Sequence, residues 1–417
     1  MRIKYKQIQQ VCIWYIVAWM IAPPLAYDTI YRLIAVVAAI LWILIQISSS
    51  KVDGCNSVMK RVLSKYLMCA ILYGVALIFF DCVFRKYSIF SAFYNNITTY
   101  IFLFVGYIGG TYCKEERSEE LKKTFYFLLG LIVIFSVTSL MRSDEFYLMT
   151  RSAGGEVDDA YNVLARRAAM HGVGSFGFFA LSAAFSPFVL WISYAYKGVR
   201  RLALLLAFAI IEFGVISAGY TLALLISFLG ICFTFIFKIK SKVIRVVFIF
   251  GVAILLIFGN EILTGIYHFL QAVTNGTMYA NKVEDIFSFL LNGDSTGTFE
   301  SRLDRYLFSF TSIFKYPIFG SYILNGTNSI GSHSSILDPF AAYGWLIGAA
   351  WTYVLIVFPR KMSTIVSDKK LSTLVTLVLF FTALFNRTTM MMGMFFLLAP
   401  ALGYIERENM ETTGEIT

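Results

Sequence analysis

Charge is what this chain has least of. Asp, Glu, Lys and Arg make up 14% of its 417 residues, where a soluble domain carries about 25%. Histidine occurs 3 times and proline 7 times. The six cysteines (Cys12, Cys55, Cys69, Cys82, Cys113, Cys232) form no CxxC pair, so neither a disulfide framework nor a cysteine metal site is indicated. HExxH, a phosphate-binding P-loop and GxGxxG in a suitable context are missing, which sets aside zinc hydrolases, nucleotide-driven motors and dinucleotide enzymes. No Ser-His-Asp set can be assembled. The acidic residues Glu156, Asp158, Asp159, Asp294, Glu300 and Asp304 are too scattered to define a metal site. The expectation is chemistry without a metal or a cofactor.

Apolar residues fill the space that charge leaves. The chain is 58% hydrophobic, with a mean hydropathy of +0.72. About 20 apolar residues cross a bilayer as a helix. Runs of that kind lie at about 9–27, 31–48, 66–84, 97–113, 124–141, 172–196, 202–218, 221–237, 246–262, 336–358, 371–386 and 389–405, with ends uncertain by roughly 2–4 residues. The fold class expected is all-α: a polytopic membrane protein of about twelve spans in a single membrane domain, 1–417. The seventh and eighth runs are nearly fused, broken only at Ser217-Ala218-Gly219-Tyr220. The first run has no small-residue cleavage site and reads as a retained span.

Basic residues cluster between alternate runs. Arg2, Lys4 and Lys6 precede the first; Lys51, Lys60, Arg61 and Lys65 follow the second. Lys114 to Lys123, Lys197 to Arg201, Lys238 to Arg245 and Arg360 to Lys370 continue the alternation. The positive-inside rule puts these groups, and both termini, on the cytoplasmic side, the topology signal of an inner-membrane protein. The net charge of +10 is therefore a topology signal, not a nucleic-acid footprint. Two long loops, about 142–171 and 263–335, then fall outside. Long loops in a compact membrane domain are usually functional, which places the working face externally.

The richest stretch runs from Phe299 to Gly348. Its first part reads as a helix ending before Pro317, with Leu303, Leu307, Phe310 and Phe314 on one face. Arg302, Arg305, Ser309 and Ser312 lie roughly opposite. Two guanidiniums at i, i+3 repel each other, and a dianionic partner such as a pyrophosphate offsets that cost. Contact with lipid phosphates accounts for them equally well. His333 and Ser334 follow a turn and precede Asp338-Pro339. Asp338 with Pro339 reads as N-cap and N1 of the next helix, or Ser335 caps it with Asp338 closing a capping box. A neutral imidazole at His333 is suited to take a proton from a sugar hydroxyl, although a histidine at a membrane edge can also be merely interfacial. In the first loop, Arg166 and Arg167 precede His171 and the glycine-rich segment Gly172–Gly177. That set is a second basic contact for an anion or an exposed pair beside close helix packing. Glu212 lies inside an apolar run and is a functional candidate by cost. Asp81 reads as interfacial.

The order of these parts resembles the O-antigen ligase and polymerase superfamily. An Arg-bearing helix leads to Pro317-Ile-Phe-Gly320, then to His333-Ser334, then to an apolar helix with Tyr343-Gly344 and Gly348. The ligase-like pattern His-[Asn/Ser/Gln]-x9-Gly is met by His333, Ser334 and Gly344. Its second glycine, due at Ile347, stands instead at Gly348. The family's Ser-Arg-Gly element has its counterpart in Ser217-Ala-Gly-Tyr-Thr221, which has no arginine. The wording SRLDRYLFSF and HSSILDPFAAYG is most similar to Wzy-type repeat-unit polymerases of O-antigen or capsule.

The resemblance implies a GT-C-like glycosyltransferase fold and an inverting, metal-independent transfer from undecaprenyl-pyrophosphate-linked oligosaccharides. It implies His333 as base, with Glu212 and Asp338 in reserve. Arg302 and Arg305, with Arg166 or Arg167, would stabilise the pyrophosphate, and Ser334 and Tyr343 would line the substrate site. Membrane lipids and a chain-length regulator are the implied partners, and nucleic acid is not. An O-antigen ligase acting on lipid A-core and a lipid-linked oligosaccharide flippase are the alternatives.

Overall fold

In the computed structural model, the described residues are 2–26, 29–49, 57–113, 117–142, 159–218, 220–239, 298–325, 330–386 and 392–412, with isolated positions between 241 and 272. All regular structure among them is helical. In chain order the helices are α1 (Arg2–Ile21), α2 (Pro23–Ala26), α3 (Thr29–Ser49), α4 (Ser57–Val83), α5 (Ile89–Asn95), α6 (Ile97–Tyr112), α7 (Ser118–Met141) and α8 (Asp159–Met170). Then follow α9 (Phe176–Ser193), α10 (Gly198–Ala218), α11 (Thr221–Lys238), α12 (Thr298–Lys315), α13 (Tyr322–Asn325) and α14 (Leu337–Thr352). A π-helical turn, Tyr353–Val357, joins α14 to α15 (Phe358–Val366), and α16 (Lys369–Phe385) and α17 (Met394–Thr412) close the bundle.

Each apolar run of the sequence coincides with a helix, apart from 246–262, which lies largely outside the described residues. Among the described residues, six helical segments are long and apolar enough to cross a membrane: Thr29–Ile47, Val58–Val83, Ser118–Met141, Phe176–Ser193, Gly198–Ala218 and Leu337–Val366. The pair α5 and α6, bent by 64° at Asn96, makes a seventh if it is one span. Leu222–Lys238 is apolar but shorter. The protein is thus an α-helical, membrane-embedded chain.

Burial runs the way a lipid solvent requires. The helix α9 is the centre, with every residue from Phe178 to Ser193 buried. It packs on α10 and α11. Helices α3, α4 and α10 turn large apolar side chains outward instead, among them Val37, Ile47, Met68, Ile71 and Leu206. In water such a surface would aggregate; in a bilayer it is the contact surface. Several polar side chains that enter the bundle are paired across helices. Gln10 on α1 donates to Thr124 on α7 at 2.9 Å. Trp191 on α9 and Lys238 on α11 both donate to Glu406 on α17, at 3.0 and 3.2 Å. In a medium without water each such bond removes a cost of roughly 1–3 kcal/mol.

Candidate functional site

The helix expected before Pro317 is α12, and it ends at Lys315. Its two faces are used in the reverse of the soluble-protein manner. Leu307, Phe310 and Phe314 are exposed, whereas Ser309 and Ser312 are buried against the bundle. The two serines of the polar stripe face protein, and the apolar residues Leu307, Phe310 and Phe314 face outward.

Ser309 explains the inversion. Its hydroxyl donates to Oδ1 of Asp338 at 2.7 Å and accepts from the Gly331 N–H at 2.8 Å. One side chain therefore ties α12 to both the 330–336 loop and α14. Asp338 is 5% exposed, and its Oδ2 accepts from the Ser334 N–H at 2.9 Å. Ser334 Oγ in turn accepts from the N–H groups of Leu337 and Ile336, at 3.0 and 3.3 Å. The N-cap position of α14 is Ile336, and the side chain that takes the N–H groups at its start is that of Ser334, not of Asp338 or Ser335 as the sequence suggests. The physical reason is reciprocity: Ser334 takes the first free N–H groups of the helix, and Asp338 takes that of Ser334. Ser335 is engaged elsewhere, donating its hydroxyl to the Asn386 carbonyl at 2.8 Å.

This frame brings Arg305 and His333 together. Arg305 NH1 lies 3.2 Å from His333 Nε2, and His333 Nδ1 lies 2.9 Å from the Ser332 carbonyl. A guanidinium can only donate, so Nε2 accepts. The ring proton then sits on Nδ1, donated to Ser332, and the imidazole is neutral. Arg305 is exposed and His333 half-buried. Tyr306 flanks them, its ring 6.5 Å from that of His333 and its hydroxyl donating to the Phe385 carbonyl at 2.7 Å. Arg302 lies one turn earlier on α12; its side chain is outside the described residues.

A second clamp holds the other end of α12. Within α14, Gly344 has φ 82 and ψ 178 and breaks the helix. An unbroken helix would bond the Trp345 N–H to the Ala341 carbonyl. Instead Trp345 N–H donates to the Pro317 carbonyl at 2.7 Å, and Ala341 accepts from the Ser321 N–H at 2.8 Å and from its hydroxyl at 2.9 Å. The turn 317–321 is inserted into the helix ladder and satisfies both orphaned groups. The approach needs glycine on both sides. A Cβ on Gly320 (φ 73) would stand 2.1 Å from the Ala342 carbonyl oxygen, and one on Gly344 2.3 Å from that of Ile318.

Tyr343 packs beside this break. Its ring lies 5.0 Å from Phe80, 5.6 Å from Tyr322 and 6.1 Å from Tyr73. With Phe79, Phe80, Phe319, Trp345 and Leu346 it lines an apolar groove of about 700 Å³ between α4 and α14. Beyond the stack sits a polar knot that sequence reading placed at an interface. Asp81 is 4% exposed; it accepts from Asn96 at 2.7 Å and Tyr322 at 3.4 Å and pairs with Arg85 at 3.3 Å. The Arg85 guanidinium lies 4.9 Å from the Tyr322 ring centroid. Burial pushes the Tyr322 phenol up to about 12; Arg85 opposes the shift and Asp81 adds to it. The phenol therefore stays a donor at neutral pH. An acidic residue in an aromatic run was the only sequence signal for this knot.

The remaining sequence candidates stand apart from these bonds. Glu212 on α10 accepts from the Ser227 hydroxyl on α11 through both oxygens, at 2.6 and 2.8 Å, which fastens two neighbouring helices. Arg166 and Arg167 lie exposed on α8, with Arg167 in the last turn, where a cation suits the helix dipole. The glycine-rich segment after them serves packing: Gly172 closes α8 at φ 84, and the Gly174 N–H donates to Ser139 on α7 at 2.8 Å. Among the described residues, no group of three or more His, Cys, Asp or Glu side chains is placed to hold a metal.

Comparison with protein-family models, with curated proteins and with solved structures finds no match for this chain.

Proposed function

We propose that the chain is a glycosyltransferase that polymerises oligosaccharide repeat units carried on undecaprenyl pyrophosphate, building O-antigen or a related surface polysaccharide. It does so at the external face of a bacterial inner membrane, with about twelve spans and both termini cytoplasmic. The fold is of the GT-C-like kind. The observation that carries this reading is the meeting of an exposed arginine with a neutral imidazole, on a helix whose apolar side is exposed and so suited to lipid. A lipid-linked pyrophosphate donor needs those three things at one place.

The reaction follows from the donor. An acceptor hydroxyl oxygen attacks the anomeric carbon from the face opposite the leaving group. The bond from that carbon to the pyrophosphate oxygen breaks, and undecaprenyl pyrophosphate departs with the electron pair. Configuration inverts in one displacement. The hydroxyl proton passes to His333 Nε2 once Arg305 turns from that nitrogen to the leaving pyrophosphate. Arg305, with Arg302 one turn away, stabilises the charge that develops there. Asp338 and Ser334 hold the histidine loop in register rather than exchange protons, because their polar atoms are engaged with each other and with Ser309. Tyr343 offers a ring beside the lipid groove. Membrane lipids and a chain-length regulator complete the set of partners.

The test is surface-polysaccharide length in a deletion strain complemented with Arg305→Ala or His333→Ala, with expression checked. Single repeat units on the final acceptor and no ladder support a polymerase. Loss of all attached glycan, with polymer still growing on the lipid carrier, identifies a ligase. A normal ladder from both variants removes this assignment.

A further inference from the structure

Asn386 is a polar side chain buried to 2% exposure, and among the described residues neither its amide nitrogen nor its amide oxygen has a hydrogen-bond partner. Its backbone, by contrast, is held on both sides by the candidate site. The Asn386 carbonyl accepts from the Ser335 N–H at 3.1 Å and from the Ser335 hydroxyl at 2.8 Å. The preceding carbonyl, of Phe385, accepts from Tyr306. Ser335 is two residues from His333, and Tyr306 faces the His333 ring. Buried polar groups in native proteins are almost always bonded, and an exception calls for a missing water, ion or ligand. Here both ends of one amide are exceptions, on a residue whose backbone is bonded to Ser335, two positions from His333.

The kind of ligand follows from the amide. Its nitrogen only donates and its oxygen only accepts. An anion would satisfy the nitrogen alone, and a cation the oxygen alone. A hydroxyl both donates and accepts, and sugars carry many. We propose that Asn386 is a sugar-binding residue of this site, its amide holding a hydroxyl of the glycan beside His333. The proposal rests on the glycosyltransferase reading above and adds to it the residue that orients the sugar. The Asn386 side chain is buried, and admitting one hydroxyl requires space of about one water.

The experiment pairs two readouts on the full-length protein. Asn386→Leu keeps the branched shape and the number of side-chain heavy atoms and removes both polar groups; Asn386→Ser keeps a donor and an acceptor. Each is scored for thermal unfolding of the purified protein in detergent and for ladder length in the complemented strain. The expected result for Asn386→Leu is a Tm unchanged or raised by about 1 °C, with polymer yield down at least tenfold. Asn386→Ser should recover part of the ladder. A full ladder from Asn386→Leu overturns the proposal. So does a Tm lowered by several degrees with the ladder falling only as folded protein falls, because the amide then binds a structural water only. Arg305→Ala and His333→Ala run alongside. If they lose the ladder and Asn386→Leu keeps it, this inference alone fails. If all three keep it, the glycosyltransferase reading fails and this inference with it.

Discussion

Ser309 joins three segments through one hydroxyl. Its bonds to Asp338 and to the Gly331 N–H cross from α12 to α14 and to the loop that carries His333. Replacing it with alanine removes a bond to the buried Asp338 carboxylate and one to the Gly331 N–H, and should cost about 2–4 kcal/mol. The check is thermal unfolding of the purified protein together with the ladder, which should shorten as the loop loses its register. Asp338→Asn separates two roles. As a positioning carboxylate, Asp338 should show lower stability with residual activity, because one amide end still accepts. As the base, it should show intact folding with activity abolished. At this scale the sequence is readable where a residue is rare. Arg305 and His333 stand out in a chain so poor in charge and histidine, and the structure places them 3.2 Å apart. Ser309, Asn386 and the part played by Asp81 are not readable, because their meaning lies in partners 15 to 241 positions away, or in the lack of one.

Elements were legible by period and illegible by environment. The spacing of Leu307, Phe310 and Phe314 marks the apolar face of α12, yet periodicity cannot say whether that face meets protein or lipid. It is the exposed one. Charging it with Phe310→Lys should leave the Ser309 side intact and loosen the helix from the membrane. Limited proteolysis in vesicles measures this, with cleavage within α12 faster than in the parent. The run 336–358 likewise announces an apolar helix but not its break. The break at Gly344 depends on the turn 317–321 arriving to take the Ala341 carbonyl and supply that of Pro317. Only the two glycines hint at it. Gly344→Ala and Gly320→Ala each force a Cβ into a backbone carbonyl and add the strain of a left-handed residue, about 1–2 kcal/mol by itself. Both should be recovered at much lower yield from membranes. Gly344→Ala together with Gly320→Ala should be no worse than the worse single variant, because either one already expels the turn.

For the whole molecule, the composition alone gives an all-helical membrane chain, and the outward apolar faces of α3, α4 and α10 agree with it. Among the described residues six segments are by themselves long and apolar enough to cross a membrane, and the run at 246–262 lies largely outside those residues. Other expected runs depart from that form for reasons seen in their helices. Charge at Arg2, Lys4 and Lys6 dilutes α1, α16 is 17 residues long, and α5–α6 is bent. The proposed topology makes a separate prediction. Single cysteines introduced near Arg32 and near Arg387 should react with a membrane-impermeant thiol reagent in intact spheroplasts, and those near Lys51 and Lys369 only after lysis. Lys51 and Lys369 reacting from outside would invert the topology and move the Arg305–His333 pair away from any external substrate.

The central claim is that this arginine and histidine transfer glycan between lipid carriers. The most direct measurement uses the purified full-length protein in lipid nanodiscs, with lipid-linked repeat units extracted from the host and a metal chelator present. The expected result is lipid-linked product of two or more repeats with equimolar release of undecaprenyl pyrophosphate, reduced at least a hundredfold by His333→Ala. No lengthening, or equal lengthening by the parent and His333→Ala, would contradict it.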